Sequence, residues 1–442
     1  MYYVLGSLQL IFIVLYTIFS YKKRSLAIFA DGIKLVFILW VSNIALYNLQ
    51  ISRLYNPNWQ INLIVLIIAL TFFIASKKVF LTEEDLIINI SEIKEEKDVY
   101  YIYSIITTII FVIALIVFWL NVKKYGLAML EENKIGKQPM DHYAGYIVYM
   151  LVLVAQIKYV LFRIRENKKI LEFIMFVLSL GTLFLTLNRG PLMFIIIGIY
   201  VYEIFNLVSI KNNISKKKLY LIYSILILTA IIGVILFGYI GDMRMEYVLE
   251  TVYKRTINEH YQVSEIVPSG FMWAYIYLTS PLENAAFSIV NQGFELTFFN
   301  NLFYPFIKLF ANILGLGSQY KEWLMSRGGF TPYLEKKVGL NVSSFIPEAM
   351  QDLGYLGVII YILIYLALIY FAISLIKKKR FNFSRIGSLI IYSNILSILL
   401  WSVFVNSLKV PVLILNVLFI IALEVARKIG IFKWFCEKIK RG

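Results

Sequence analysis

Long runs of apolar residues recur along the chain and are separated by short polar or charged segments. About eleven of these runs have roughly 17–23 residues, which is long enough for a helix to cross a hydrocarbon core of about 30 Å. The pattern predicts an all-α, polytopic integral membrane protein that forms one membrane domain over residues 1–442. The first run lacks a basic leading segment and a small-residue cleavage site, so we expect a retained helix and no signal peptide. The predicted spans lie near residues 2–20, 33–50, 60–76, 100–120, 143–162, 170–187, 191–209, 219–240, 354–376, 386–407 and 410–426.

One long segment, residues 242–352, breaks this pattern between the eighth and ninth predicted spans. Long connections without obvious structure of their own usually carry function. Within the segment, residues 270–279 and 298–316 are apolar and aromatic, but each is short for a span. We expect amphipathic helices at the membrane interface that form a lid over a cavity open to the outside. A re-entrant pair of segments is the alternative. The aromatic residues expected at headgroup level are Trp273, Tyr275, Tyr277, Phe303 and Tyr304.

The distribution of charge gives the topology. The chain has 442 residues, 60% hydrophobic residues and a formal net charge of +16. Because Lys and Arg are concentrated in alternate loops, the positive-inside rule predicts the N-terminus outside and the C-terminus in the cytoplasm. The basic excess therefore indicates topology and attraction to anionic lipid headgroups, and it argues against nucleic acid as a partner. The basic clusters lie within 22–24, 77–97, 163–169, 211–218, 377–385 and 427–441.

A first candidate for anion binding is Arg189, in the sequence LTLNRGPLMF at the outer end of the sixth predicted span. The seventh span begins at the same place, and the unpaired N–H groups of a helix start attract anions. The planar guanidinium of arginine matches the oxygens of a phosphate. The alternative is a snorkelling arginine that caps a tight helical hairpin.

Three further arginines lie in the long segment. Arg244 and Arg255 belong to a predicted amphipathic helix that follows the eighth span, with Arg244 nearest the bilayer. Ion pairs with neighbouring glutamates explain Arg255 equally well. Arg327 precedes Gly328 and Gly329, which allow the backbone to come close to a ligand.

Two carboxylates and one histidine are candidates for proton transfer. Glu348 and Asp352 are four residues apart and would share one face of a helix that opens after Pro347. They could hold a proton or a sugar hydroxyl, or they could simply favour the positive end of that helix. His260 is a further candidate base, with an incidental role as the alternative. With one cysteine, Cys436, and two histidines in the whole chain, we predict no metal site and no cofactor.

These residues resemble a known family. The short Asn188–Gly190 turn with its arginine, the long external segment and a closing pattern are similar to bacterial Wzy-type oligosaccharide repeat-unit polymerases of O-antigen and capsule synthesis. The closing pattern here consists of Asn341, Ser343, Glu348, Asp352, Gly354 and Gly357. The family's usual Ser-Arg-Gly is Asn-Arg-Gly in this chain, so the arginine is retained and the residue before it departs from the pattern.

The resemblance implies a GT-C-like, metal-independent glycosyltransferase in the bacterial cytoplasmic membrane. Its substrate would be a polyprenyl-pyrophosphate-linked oligosaccharide, and a chain-length regulator is a candidate partner. The lipid pyrophosphate would leave near the four arginines, Arg189, Arg244, Arg255 and Arg327. Glu348, Asp352 or His260 would then serve as the base. An O-antigen-type ligase remains a second possibility. A transporter of lipid-linked sugars is a third, although Lys158 and Glu203 are expected to snorkel at the cytoplasmic ends of their helices and not to lie at the midplane.

Overall fold

The computed structural model is helical, in agreement with the predicted fold class. It describes residues 1–127, 138–165, 169–211, 253–291, 295–327, 333–377 and 381–432, together with ten single residues between 217 and 249. Within this part of the chain there is no strand, only an isolated antiparallel bridge between Ser52 and Val263.

Seventeen α-helices can be given bounds in the described ranges. They are α1 Tyr2–Arg24, α2 Gly32–Asn48, α3 Trp59–Lys78, α4 Glu83–Glu95, α5 Lys97–Tyr125, α6 His142–Tyr149, α7 Leu151–Ile164, α8 Lys169–Leu185, α9 Arg189–Ile210, α10 Ile257–His260, α11 Ser269–Asn291, α12 Tyr304–Ile313, α13 Gly317–Ser326, α14 Tyr333–Val338, α15 Ile346–Ile376, α16 Arg385–Trp401 and α17 Pro411–Lys428. Short 3₁₀ helices cover Ser25–Phe29 and Ser407–Lys409.

Among the described residues, six helical segments are long and apolar enough to cross a bilayer. This supports a polytopic membrane protein. The helices α2 and α16 are shorter apolar helices of 17 residues, and the eighth predicted span, 219–240, falls almost entirely outside the described residues. The number eleven therefore stays a prediction. The six segments are Tyr2–Phe29, Trp59–Lys78, Asp98–Tyr125, Tyr143–Ile164, Gly190–Ile210 and Ile346–Ile376.

The chain divides into two compact units. Unit 1 comprises Met1–Phe80, Ile210–Ala367 and Leu399–Lys409, and unit 2 comprises Leu81–Ser209, Leu368–Ile398 and Val410–Gly442. In unit 1, α2 packs between α1 and α3, and α11 packs on both α2 and α3.

Two of the aromatic residues of α11 for which headgroup level is expected are covered by protein. Trp273 and Tyr275 are buried in unit 1, and the indole Nε1 of Trp273 donates to Asp242 Oδ1 at 2.7 Å. Further along α11, the buried carboxylate of Glu283 accepts hydrogen bonds from the hydroxyl of Tyr47 (2.7 Å) and the amide of Asn56 (2.9 Å). Polar side chains directed inward thus fix this helix, which hydropathy alone does not reveal.

Unit 2 contains a buried ion cluster. Lys158 of α7 lies 2.8 Å from Glu172 of α8, and Arg165 contacts the other oxygen of Glu172 at 2.7 Å. Lys158 also donates to Thr108 Oγ1 of α5 at 2.9 Å. The expectation that Lys158 snorkels to the surface is therefore wrong, because an opposite charge on the neighbouring helix holds its ammonium group inside.

A second buried carboxylate in unit 2 depends on a glycine. Glu424 of α17 accepts from the hydroxyl of Tyr103 at 2.7 Å, from the amide of Ser384 at 2.9 Å and from Arg427. A Cβ on Gly387 of α16 would lie 2.6 Å from Glu424 Oε1 and 2.7 Å from the Tyr103 hydroxyl oxygen. Only a residue without a side chain leaves this buried cluster undisturbed.

We predict that Gly387→Ala destabilises unit 2 by about 1–3 kcal/mol, because the added methyl group overpacks a closed polar cluster. The matched control is Gly181→Ala in α8, where a Cβ would meet nothing within 4 Å. Thermal unfolding in detergent, followed by intrinsic fluorescence, should show a lowered Tm for the first variant and an unchanged or raised Tm for the control. Equal Tm values for the two variants would contradict this account.

Candidate functional site

The site is organised around a break in α15. The backbone leaves helical geometry at Leu353 (φ −149°, ψ 29°) and Gly354 (φ 62°, ψ −148°). A positive φ favours glycine at position 354, and a Cβ on Gly357 would meet the Ala349 carbonyl oxygen at 1.9 Å. The two glycines of the closing pattern are thus explained by the shape of the break.

The first segment of α15, residues 346–352, ends at this break with carbonyl groups that need donors. The amide of Thr297 donates to the Gln351 carbonyl at 2.9 Å, and the amide of Phe298 donates to the Asp352 carbonyl at 3.2 Å. The loop 297–302 is therefore attached to the end of the helical segment that carries Glu348 and Asp352.

Asp352 strengthens this attachment. Its buried carboxylate accepts four hydrogen bonds, which come from Thr297 Oγ1 (2.6 Å), the Asn301 amide (2.9 Å), the Leu302 amide (3.0 Å) and the Tyr361 hydroxyl (2.7 Å). A carboxylate has about four acceptor positions, so all are occupied. These contacts favour a positioning role for Asp352 over the role of base that the sequence left open.

Glu348, one helical turn earlier, has a different environment. Its Oε1 atom lies 2.9 Å from Lys409 Nζ, and the two side chains are 25% and 20% exposed. Its Oε2 atom has no hydrogen-bond partner in the described part of the chain. Lys409 also donates to Asn301 Oδ1 at 2.6 Å, so the loop fixed by Asp352 in turn fixes the lysine. One oxygen of Glu348 is therefore held in place by Lys409, and the other is buried with no hydrogen-bond partner among the described residues.

Aromatic rings continue from Lys409. Lys409 Nζ lies 5.0 Å from the centre of the Tyr304 ring, which is 6.1 Å from the Tyr320 ring. The Trp323 ring follows at 6.1 Å from Tyr320 and is 39% exposed, and the guanidinium of Arg327 lies 5.4 Å from its centre. We call Tyr304, Tyr320 and Trp323 the aromatic strip. The strip has a cation at each end and Glu348 beside the first of them.

The hydroxyl of Tyr320 adds a polar group to the strip. It is buried and has no hydrogen-bond partner among the described residues. Burial, together with the neighbouring Tyr304 and Asp352, raises the pKa of Tyr320 to about 12. The hydroxyl is therefore protonated at neutral pH and can donate a hydrogen bond to a ligand.

The structure brings three of the predicted site residues into one group: Glu348, Asp352 and, through the strip, Arg327. The exposed side chain of Arg327 also lies 4.0 Å from Glu295. Arg255 is exposed, with its amide bonded to the Leu249 carbonyl.

Two of the predicted arginines cannot be placed in the site. Arg244 lies outside the described residues, and for Arg189 only the backbone is described, at the start of α9. Their roles stay predictions. No group of three or more His, Cys, Asp or Glu side chains that could hold a metal ion occurs among the described residues.

His260 is a buried histidine. Its Nε2 lies 3.4 Å from the Val338 carbonyl oxygen, its Nδ1 has no described partner, and its ring packs against Tyr253 and Tyr261. Burial lowers the pKa of His260 below its usual 6.5, and Arg255 adds to the effect. These contacts favour a packing role over that of a base that reaches substrate.

Two residues of the site were missed by the sequence reasoning. They are Lys409, which lies between the last two predicted spans, and Asn301, which lies within the apolar and aromatic segment 298–316. A lone lysine between two apolar runs was the available signal for Lys409. Nothing local links it to Glu348, 61 residues earlier, because the pairing arises only from the fold.

No protein-family profile, curated protein or solved structure matches this chain.

We predict that Asp352→Asn lowers the thermal stability of the protein and that Glu348→Gln does not. An amide cannot accept all four hydrogen bonds, and each buried donor left unpaired costs about 1–3 kcal/mol. Glu348 is partly exposed, and its one ion pair contributes little. The measurement is Tm in detergent for both variants. A larger loss of stability for Glu348→Gln would overturn the assignment of roles.

His260 should make stability depend on pH. Because its pKa in the folded state is lowered, the unfolded state binds more protons as pH falls through about 6.5, and stability is lost in that direction. Above that pH the contribution is fully present. His260→Phe keeps an aromatic ring against Tyr253 and removes the titration. The fall in Tm between pH 7 and pH 5 should be smaller for this variant than for the native chain, and an identical fall would contradict the prediction.

Proposed function

We propose that this chain polymerises polyprenyl-pyrophosphate-linked oligosaccharide repeat units at the outer face of a bacterial cytoplasmic membrane. The observation that carries the proposal is the carboxylate of Glu348, which Lys409 holds through Oε1 next to the aromatic strip, while Oε2 is buried and has no hydrogen-bond partner among the described residues. The resemblance of the Asn341–Gly357 pattern to Wzy-type polymerases points to the same residue. The orientation, with the N-terminus outside and the C-terminus in the cytoplasm, belongs to the proposal.

In the proposed reaction, one lipid-linked repeat unit is the acceptor and a second one is the donor. A hydroxyl of the acceptor attacks the anomeric carbon of the donor sugar that is bonded to the pyrophosphate. A C–O bond forms to the acceptor, the C–O bond to the pyrophosphate breaks, and the lipid pyrophosphate leaves. Glu348 Oε2 takes the proton of the attacking hydroxyl. Lys409 fixes the orientation of that carboxylate through its contact with Oε1. No cofactor takes part, because the pyrophosphate is already a good leaving group.

Cations would stabilise the charge that develops on the leaving pyrophosphate. Lys409 and Arg327 lie at the two ends of the aromatic strip. Arg189, Arg244 and Arg255 are the further proposed pyrophosphate contacts. Arginine suits this role because its planar fork pairs with two phosphate oxygens at once.

The aromatic strip would bind the glycan. Sugar rings present apolar C–H faces that pack on aromatic rings, and the ring hydroxyls need polar partners nearby. The partly exposed ring of Trp323 supplies an aromatic surface, and the hydroxyl of Tyr320, which has no partner among the described residues, supplies a polar group. The strip therefore offers a surface along which a glycan can extend away from Glu348.

A ligase that passes the glycan to a different acceptor would use the same donor and is the nearest alternative. A transporter of lipid-linked sugars is favoured by one observation, the buried Lys158–Glu172–Arg165 cluster of unit 2. Charges buried inside a membrane protein often mark a transport path. A chain-length regulator remains a proposed partner of the polymerase.

The test is polymerisation by the purified protein from the synthetic lipid-linked repeat unit alone, analysed on a gel. We expect a ladder of products for the native chain. Glu348→Gln should slow its formation by about 10²–10⁴-fold, the range for loss of a general base. Asp141→Asn is the matched control, since Asp141 is an exposed carboxylate paired with Lys124 on the predicted outer side.

The outcomes separate the alternatives. A ladder that is lost in Glu348→Gln and in Arg189→Ala, but kept in Asp141→Asn, would support the polymerase with both residues in their proposed roles. A ladder unaffected by Glu348→Gln would show that Glu348 is not the general base. Absence of any ladder from folded native protein and competent substrate would favour the ligase and then the transporter.

A further inference from the structure

The helix α12 has an apolar face that the described part of the chain leaves uncovered. Phe306, Phe310 and Ile313 recur at helical spacing and are 40%, 64% and 66% exposed, and no residue of α12 is buried. The opposite side carries Tyr304 and Lys308, whose Nζ lies 5.2 Å from the Tyr304 ring centre. Since Tyr304 also contacts Lys409, the polar side of α12 faces the Glu348 site and the apolar side faces away.

The apolar surface extends beyond both ends of α12. Phe298, Phe303 and Leu314 are 67%, 50% and 70% exposed. Phe298 and its neighbour Phe299 have φ values of 46° and 67°, a left-handed conformation that bulky residues rarely adopt. The hydrogen bond from the Phe298 amide to the Asp352 carbonyl holds this conformation. A large apolar side chain is thus kept outside at a strained position, which is the pattern expected of a functional surface.

This surface adjoins an exposed apolar side of a candidate membrane span. The loop that carries Phe298 is bonded to the last residues before the break in α15. Immediately after the break, Tyr355, Leu356 and Ile359 are 58%, 59% and 48% exposed, and they lie in the candidate span Ile346–Ile376. The apolar patch therefore begins where the exposed apolar side of α15 begins.

We propose that this patch inserts into the interface of the bilayer leaflet next to the start of α15. The patch consists of Phe298, Phe303, Phe306, Phe310, Ile313 and Leu314. With ten residues, α12 is about 15 Å long, which is about half of the hydrocarbon thickness. It is too short to cross the bilayer and therefore lies in the membrane plane, with its apolar face toward the hydrocarbon core.

Docking of the patch has a consequence for the site. Tyr304 begins α12 and contacts Lys409, which holds Glu348. An α12 embedded in the leaflet therefore keeps this carboxylate at headgroup depth, where the headgroup of a lipid-linked substrate would lie. The inference rests on exposure and packing and holds whether or not the polymerase proposal is correct.

The test uses single labelled cysteines in lipid nanodiscs. With Cys436 replaced by serine, Phe310→Cys or Ile313→Cys would carry an NBD fluorophore. The lipid-facing control is Ile359→Cys in α15, and the water-facing control is Lys321→Cys, an exposed position in α13. Quenching would be measured with doxyl-labelled lipid and, separately, with aqueous iodide.

We expect the labels at 310 and 313 to be quenched by a doxyl group near the headgroup about as strongly as the label at 359, and to resist iodide. Quenching by iodide as strong as at position 321 would show that the patch faces water and would overturn the inference. Protection from both quenchers would overturn it as well, since the patch would then be covered by protein, such as a second copy of the chain. Two labelled positions guard against one variant that fails to fold.

Discussion

The buried carboxylate of Asp352 is the contact on which the rest of the site depends. It joins the end of a short helical segment to the loop 297–302 through three hydrogen bonds and to Tyr361, beyond the break in α15, through a fourth. Without these acceptors, the amides of Asn301 and Leu302 would be buried and unpaired, which is costly. The same loop places Asn301 against Lys409 and leads into α12. One side chain thus links the helix break, the lysine and the exposed apolar helix.

Glu348 and Asp352 share one helical face but have different roles. Asp352 points into a set of donors that fills every acceptor position, whereas one oxygen of Glu348 contacts Lys409 and the other, Oε2, is buried with no hydrogen-bond partner among the described residues. A general base needs a lone pair that no other group occupies, on a carboxylate held in a fixed position. The four donors to Asp352 leave it no such lone pair, whereas Lys409 fixes Glu348 through Oε1 and leaves Oε2 unpaired. This difference is the main reason to assign proton transfer to Glu348.

The sequence predicts the helical membrane class well, because long apolar runs allow few other structures. It also predicts that Glu348 and Asp352 share a helix face. It does not predict their different environments, since three of the four donors to Asp352 lie about fifty residues earlier in the chain and Lys409 lies 61 residues after Glu348. Trp273 and Lys158 show the same limit, because an inward polar partner, Asp242 or Glu172, decides their burial. Hydropathy predicts the length of a helix but not the partners of its polar side chains.

The roles of Glu348 and Asp352 are tested most directly by labelling carboxylates of the native protein in nanodiscs with a water-soluble carbodiimide and an amine. The modified residues would be identified by peptide mass spectrometry. We predict modification of Glu348 in the free protein, protection of Glu348 by the polyprenyl-pyrophosphate-linked repeat unit, and no modification of Asp352 in either state. Modification of Asp352 together with an unreactive Glu348 would reverse the roles assigned to the two residues. Modification of Glu348 that saturating substrate does not change would separate it from the substrate site.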